Sequence, residues 1–192
     1  KSRAVVSQLA IDDCQRVPEL KALFLRKVGR AARESFGDLR RQALMNVPHI
    51  YKETTGMMQF PNGSRIILGH FQNEKDIDAY LGLEYDVIAI EEATQLSIDK
   101  TRDIKTCLRT SKTNWRPRTY RTTNPGGVGH QHFKAEFITP WRNGAEAGTR
   151  FIPATVQDNR FVDQDYTSKL EALTGWKRAA WLEGEWDIAS GQ

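Results

Sequence analysis

A chain of 192 residues suffices for one domain with its own core, and its 39% apolar and 27% charged residues exclude a disordered or low-complexity protein. No run approaches the roughly 18 apolar residues of a membrane span, and the two cysteines and four histidines lack zinc-ligand spacing. The net charge of +4 permits an anionic partner such as nucleic acid without requiring one. The chain opens on Lys1 rather than Met, so a longer gene product is expected.

In chain order, Val5, Val6, Leu9, Ala10 and Cys14 recur at helical spacing and predict a helix over 2–15, stopped by Pro18. Ala22-Leu23-Phe24-Leu25 is a buried strand candidate ending at Arg26-Lys27. An amphipathic helix follows over 30–45. Pro61-Asn62-Gly63 predicts the turn of a hairpin over 57–71. A short helix is expected over 74–81, a fully apolar strand over 87–90, a helix over 97–109 with Ser97 as its cap, and a more polar strand over 118–122. Beyond the turn at Thr123-Asn124-Pro125-Gly126-Gly127, the pattern predicts a helix over 131–137, a strand over 149–156 and helices over 165–173 and 176–184. Alternating strands and helices specify an α/β domain with a mainly parallel central sheet flanked by helices. Ligands of such sheets bind beyond the carboxyl ends of the strands, here at Arg26, at Glu91-Glu92 and at Thr122-Thr123-Asn124.

Val87-Ile88-Ala89-Ile90 carries no charge until Glu91-Glu92. At that position one carboxylate can hold a magnesium ion beside nucleotide phosphates, and the other can orient and deprotonate an attacking water. Glu91 is assigned the metal and Glu92 the water. Carboxylates ahead of a helix also stabilise its N-terminal dipole, which is the competing explanation. Thr123 and Asn124 can hydrogen-bond a γ-phosphate without adding charge, although the same residues also suit a plain turn. Lys1-Ser2, at the start of a helix, has the form of the last two residues of a phosphate-binding loop. In such a loop the lysine reaches the β- and γ-phosphates and the hydroxyl binds magnesium.

The joint order of these pieces resembles the ATPase domain of the large terminase subunit of tailed bacteriophages, over nearly the whole chain. Lys1-Ser2 resembles the end of the Walker A loop. Leu23-Phe24-Leu25-Arg26-Lys27 and the helix with Ser35 resemble the strand and helix that follow, and Asn62-Gly63-Ser64-Arg65-Ile66 resembles the hairpin. Leu81-Gly82-Leu83 with 87–93 resembles the Walker B region. Thr123-Asn124-Pro125-Gly126 resembles the coupling motif, and Leu182-Glu183-Gly184-Glu185-Trp186 resembles the segment leading out of the domain. The resemblance implies a P-loop NTPase of the ASCE, RecA-like type, with ATP and Mg2+ as cofactors. It implies an ATP hydrolase that translocates double-stranded DNA into procapsids. The implied partners are a portal protein, a small terminase subunit and further copies in a ring, and the implied location is the cytoplasm of an infected bacterium, transiently at the procapsid portal, with no membrane role.

The expected organisation is a single ATPase domain over 1–192, beginning within the Walker A loop and ending at the junction to a nuclease domain. Without the glycine-rich part of Walker A, this chain alone is expected to turn over little ATP. The metal position, commonly Asp in the family, is Glu91. Arg65, Arg109 and Arg121 are the candidates for an arginine finger or sensor. Lys112, Arg116 and Arg118, interleaved with Trp115 and Tyr120, form a candidate DNA-phosphate contact, and the helix bearing Arg30, Arg33, Arg40 and Arg41 forms another. The alternatives are a different P-loop motor such as a helicase, which a second RecA-like domain downstream would favour, and an inert fragment that binds DNA or a partner.

Overall fold

The first apolar run sets the first layer. Val6, Ala10 and Cys14 lie four residues apart, and with Ile11 they give helix α1 (Ser2–Arg16) one buried stripe. The computed structural model describes residues 2–42, 44–158 and 162–188. Strand β1 (Lys21–Arg26) follows α1, and its four apolar residues are buried on both faces, as a central parallel strand requires. Helix α2 (Gly29–Gln42) leads to β2 (Ile50–Lys52), β3 (Met57–Gln59) and β4 (Arg65–His70). Then come β5 (Val87–Ile90), helix α3 (Ile98–Lys105) and β6 (Arg118–Arg121).

The sheet runs β2-β3-β4-β1-β5-β6. Strands β4, β1, β5 and β6 are mutually parallel, while β2, β3 and β4 form an antiparallel meander. Ala22 and Phe24 of β1, Ile66 of β4, and Val87 and Ala89 of β5 face one core with the α1 stripe and Phe36 of α2. Leu23, Leu25, Ile88 and Ile90 point the other way and are equally buried. Fully burying one such side chain is worth about 1.5–3 kcal/mol. On that second face, a Cβ at Gly69 would lie 2.5 Å from the Tyr80 hydroxyl and 2.8 Å from Leu25, so glycine admits the 3-10 helix Glu74–Tyr80 to the sheet. The expected mainly parallel α/β layering is what the chain forms.

The chain divides into two compact units, 1–93 with 99–123 and 94–98 with 124–192. All the named strands belong to the first. The second is helical: α4 (His130–Phe133) runs through a π-helical stretch, Lys134–Ile138, into α5 (Thr139–Arg142). Helix α6 (Gln164–Glu171) precedes α7 (Gly175–Arg178), which continues as the π-helical stretch Ala179–Glu183.

One expectation needs correction, and one strand lies outside the sequence pattern. The residues predicted as a strand over 149–156 pair with no strand and run into a 3-10 turn at Val156; Phe151 donates its N–H to Glu146 at 2.5 Å and Ile152 is 73% exposed. Conversely, β2 has no counterpart in the sequence pattern, because it is three residues long and half exposed.

Candidate functional site

Strand β5 leads from the core to a polar edge. Four buried apolar residues are followed at once by Glu91 and Glu92. The backbone there is held from both sides. Glu91 N–H donates to the Leu25 carbonyl of β1 at 2.9 Å, Thr122 N–H donates to the Ile90 carbonyl at 3.0 Å, and Ala93 N–H donates to the Thr122 carbonyl at 3.0 Å. The parallel ladders therefore continue around the two carboxylates. Glu92 takes a φ of 54°, a left-handed conformation that costs a non-glycine residue about 1–2 kcal/mol. Glutamate has no local reason to choose it, so the surrounding hydrogen bonds impose it.

The two side chains differ sharply. Glu91 is buried, with its carboxylate 3.3 Å from Arg26 Nη1. Glu92 is half exposed, and Arg26 Nη2 lies 3.4 Å from its Oε1. One guanidinium thus bridges both carboxylates with its planar fork and compensates the buried charge. Arg26 ends β1, and the β1–β5 register sets Leu25 opposite Ile90, so the sheet itself brings arginine and glutamates together.

The register also sorts the other candidates. Arg121 pairs with Ile90 and stands at the same end of the sheet as the glutamates, with Thr123 two residues on. Arg65 pairs with Lys21 at the opposite, amino end. Arg109 also lies there: its N–H donates to the Tyr85 carbonyl, and its guanidinium meets Glu84 at 3.7 Å and the Gly82 carbonyl at 3.0 Å. Lys112 is 3.1 Å from the buried Asp86. Arg118 lies 3.6 Å from the buried Asp13 and 4.1 Å over the Trp115 ring, while Arg116 is exposed. On α2, Arg30 and Arg41 meet Glu34 and Asp38 of the same helix, and Arg40 covers Tyr51. Lys1 lies outside the described residues. Ser2 begins α1, and its side chain lies outside them too.

In the second unit, Asn124 is exposed, and its carbonyl accepts from Thr94 Oγ1 at 3.2 Å. The turn after it is fixed by close packing. A Cβ at Gly127 would lie 2.6 Å from the Thr94 carbonyl, and one at Gly129 would press closer still on the Leu96 carbonyl. His130, unmarked by any sequence motif, is 1% exposed and bonded at both ring nitrogens. Only the long-range fold reveals it; the sequence signal is merely a histidine directly after a glycine-rich turn.

Among the described residues, no group of three or more His, Cys, Asp or Glu side chains converges as a metal cage. A magnesium ion that keeps most of its waters and binds one or two carboxylates with phosphate oxygens needs no such cage. Glu91 could supply one such carboxylate and leave Glu92 to a water. The Cys14 thiol does not compete for the role of reactive group, since burial pushes it up to about 12.

Residues 1–192 match the sequence model of the family described as terminase large subunit, T4likevirus-type, N-terminal. Among solved structures, the large terminase of a thermophilic bacteriophage, in its second crystal form, superposes with a TM-score of 0.73 at 14% identity, covering 94% of this chain and 44% of that one. The same terminase in complex with ATP-gamma-S gives 0.69 at 13% identity, with 94% and 43% covered. Its ADP complex gives 0.69 at 14% identity, with 94% and 44% covered. The chain spans less than half the length of these structures. A comparison with curated proteins finds no match. The likeness at this identity establishes the fold alone: an α/β domain with a mainly parallel sheet, as in these terminases.

Proposed function

The chain belongs to the N-terminal family of T4-like terminase large subunits, and from that premise we propose that it is the ATP-hydrolysing motor domain that moves double-stranded DNA into procapsids. One observation carries this reading: at the end of β5 a buried and an exposed glutamate stand side by side, bridged by Arg26, with the exposed one in a strained conformation. Such strain, imposed by the ladders on either side, marks a residue positioned for chemistry. The nucleotides named for the similar terminase, ATP-gamma-S and ADP, support ATP as the ligand.

In this reading Glu92 is the general base. Its exposed carboxylate accepts a proton from water as the water oxygen attacks the γ-phosphorus and the bond to the bridging oxygen breaks, releasing ADP. Magnesium, when bound by Glu91 and Ser2, would neutralise the developing charge on the phosphate oxygens. Lys1, by the resemblance of Lys1-Ser2 to the end of a Walker A loop, is assigned to the β- and γ-phosphates. Thr123 and Asn124 register the γ-phosphate as uncharged hydrogen-bonding groups. Arg26 fixes the two carboxylates relative to each other. Arg121 is the preferred arginine sensor of the three candidates, because β6 ends beside β5. Arg116, with Lys112 and Arg118, supplies sequence-independent contacts to DNA phosphates. The assembly partners follow from the family: a portal protein, a small terminase subunit and a ring of copies, in the infected cell's cytoplasm.

The test is Glu92→Gln in the intact subunit. Turnover is expected to fall by about 10²–10⁴ while nucleotide binding survives. Near wild-type turnover in that variant would remove Glu92 from the role of base.

A further inference from the structure

The second unit contains a buried histidine that the hydrolysis scheme does not use. His130 opens α4, and both its ring nitrogens are engaged by main-chain groups far apart in sequence. Gly126 N–H donates to Nδ1 at 2.9 Å, and Nε2 lies 3.2 Å from the Trp186 carbonyl. One protonation state serves both contacts: a neutral ring with the proton on Nε2, accepting at one nitrogen and donating at the other. The ring also stacks on the Trp186 indole, with centroids 5.2 Å apart and planes inclined by 15°.

Neither end of this link has slack. The turn after Asn124 is wedged against the Thr94 and Leu96 carbonyls at Gly127 and Gly129, glycines that tolerate no Cβ. The residues on either side of Trp186 are held by charge: Asp187 meets Lys134 at 2.5 Å and Arg142 at 2.6 Å, and Glu185 meets Arg142 at 3.0 Å. Lys134 and Arg142 stand on the same helical stretch that His130 begins.

We propose that His130 is a positioning residue that fastens the turn following Asn124 to the Glu185-Trp186-Asp187 segment, so that displacement of one is passed to the other. The proposal rests on the reading above, in which that turn responds to the γ-phosphate; it adds the route by which the response reaches the Glu185-Trp186-Asp187 segment. Burial lowers the proton affinity of His130, and Lys134 acts in the same direction, while the Trp186 carbonyl and Asp187 oppose. The ring thus keeps the neutral form that the link requires.

The experiment compares His130→Phe and His130→Gln in the intact large subunit. Phenylalanine keeps the stacked volume and removes both hydrogen bonds; glutamine can restore an acceptor and a donor. With His130→Phe, hydrogen exchange at the Gly126 amide should accelerate by about tenfold, the equivalent of one lost hydrogen bond. Basal ATP turnover should persist within about threefold, while DNA packaged per ATP falls several-fold. His130→Gln should recover part of both effects and guards against a folding defect in the first variant. Unchanged Gly126 exchange, or unchanged DNA packaged per ATP in a folded His130→Phe subunit, overturns the link. The motor reading fails separately, if the intact subunit neither binds nor hydrolyses ATP, and that result leaves the exchange measurement standing.

Discussion

The two ends of β5 both carry acid beside base, and they hold it differently. At the amino end, buried Asp86 is saturated. Its carboxylate accepts from Lys21 N–H at 2.8 Å, from Lys112 Nζ at 3.1 Å and from the Thr110 hydroxyl, while its carbonyl accepts from Trp115 Nε1 at 3.0 Å. Close by, Asp13 of α1 takes the Tyr120 hydroxyl at 2.7 Å and meets Arg118 at 3.6 Å. Burial and that hydrogen bond push the Tyr120 hydroxyl up to about 12, so it remains a donor. At the carboxyl end, Glu91 and Glu92 share one guanidinium at 3.3 and 3.4 Å, and Glu92 holds its position at a cost in backbone strain. A carboxylate surrounded by short hydrogen bonds holds a fold together. A carboxylate held loosely, exposed and strained is available for a reaction.

Substitutions can break this contrast. The largest effect is expected on activity at the carboxyl end, where Glu92→Gln lowers turnover by about 10²–10⁴ with an unchanged denaturation midpoint. Next, Asp86→Ala at the amino end should cost about 3 kcal/mol of stability, read from urea unfolding, because it strands several buried donors. Turnover per folded molecule should be preserved. A smaller effect sharpens the comparison further. Glu19, in the turn before β1, also has a left-handed φ, 61°, and its N–H simply donates to the Asn62 carbonyl. Replacing Glu19 or Glu92 with glycine should stabilise either variant by up to about 1 kcal/mol. Only the second should lose hydrolysis. Equal loss in both would mean that strain alone, rather than its place on the sheet, had been misread as function. The smallest effect belongs to exposed Arg116. Its replacement by alanine should leave stability within about 0.5 kcal/mol and reduce the salt dependence of DNA binding by about one phosphate contact.

The sequence is most informative where one physical requirement dominates. Val87-Ile88-Ala89-Ile90 reads as a buried strand because the run is short, continuous, apolar and rich in β-branched residues, and ends at two acids. Arg26 stands out in the sequence only as a strand end; its bridge to Glu91 and Glu92 spans more than sixty residues and exists because β1 and β5 pair in one register. The left-handed Glu92 is likewise invisible in a residue type that does not favour that conformation. The basic stretch with Lys112 and Arg118 is legible as charge, but not as charge already opposed by Asp86 and Asp13. The failed strand over 149–156 shows the converse. Its residues suit a strand, but the second unit offers it no ladder among the described residues, and Phe151 instead packs against Trp141 and Trp186.

Gly127 and Gly129 carry a consequence for how this sequence can drift. A glutamate at the end of β5 can shorten to aspartate and keep a carboxylate. A side chain at position 129, driven into a main-chain oxygen, has no smaller compromise available. In a saturation library selected for packaging, position 129 should therefore return glycine alone, while positions 91 and 65 admit substitutes. Distant kin of this domain are better sought by the spacing Gly-x-Gly-His at 127–130 than by the acids proposed for the chemistry.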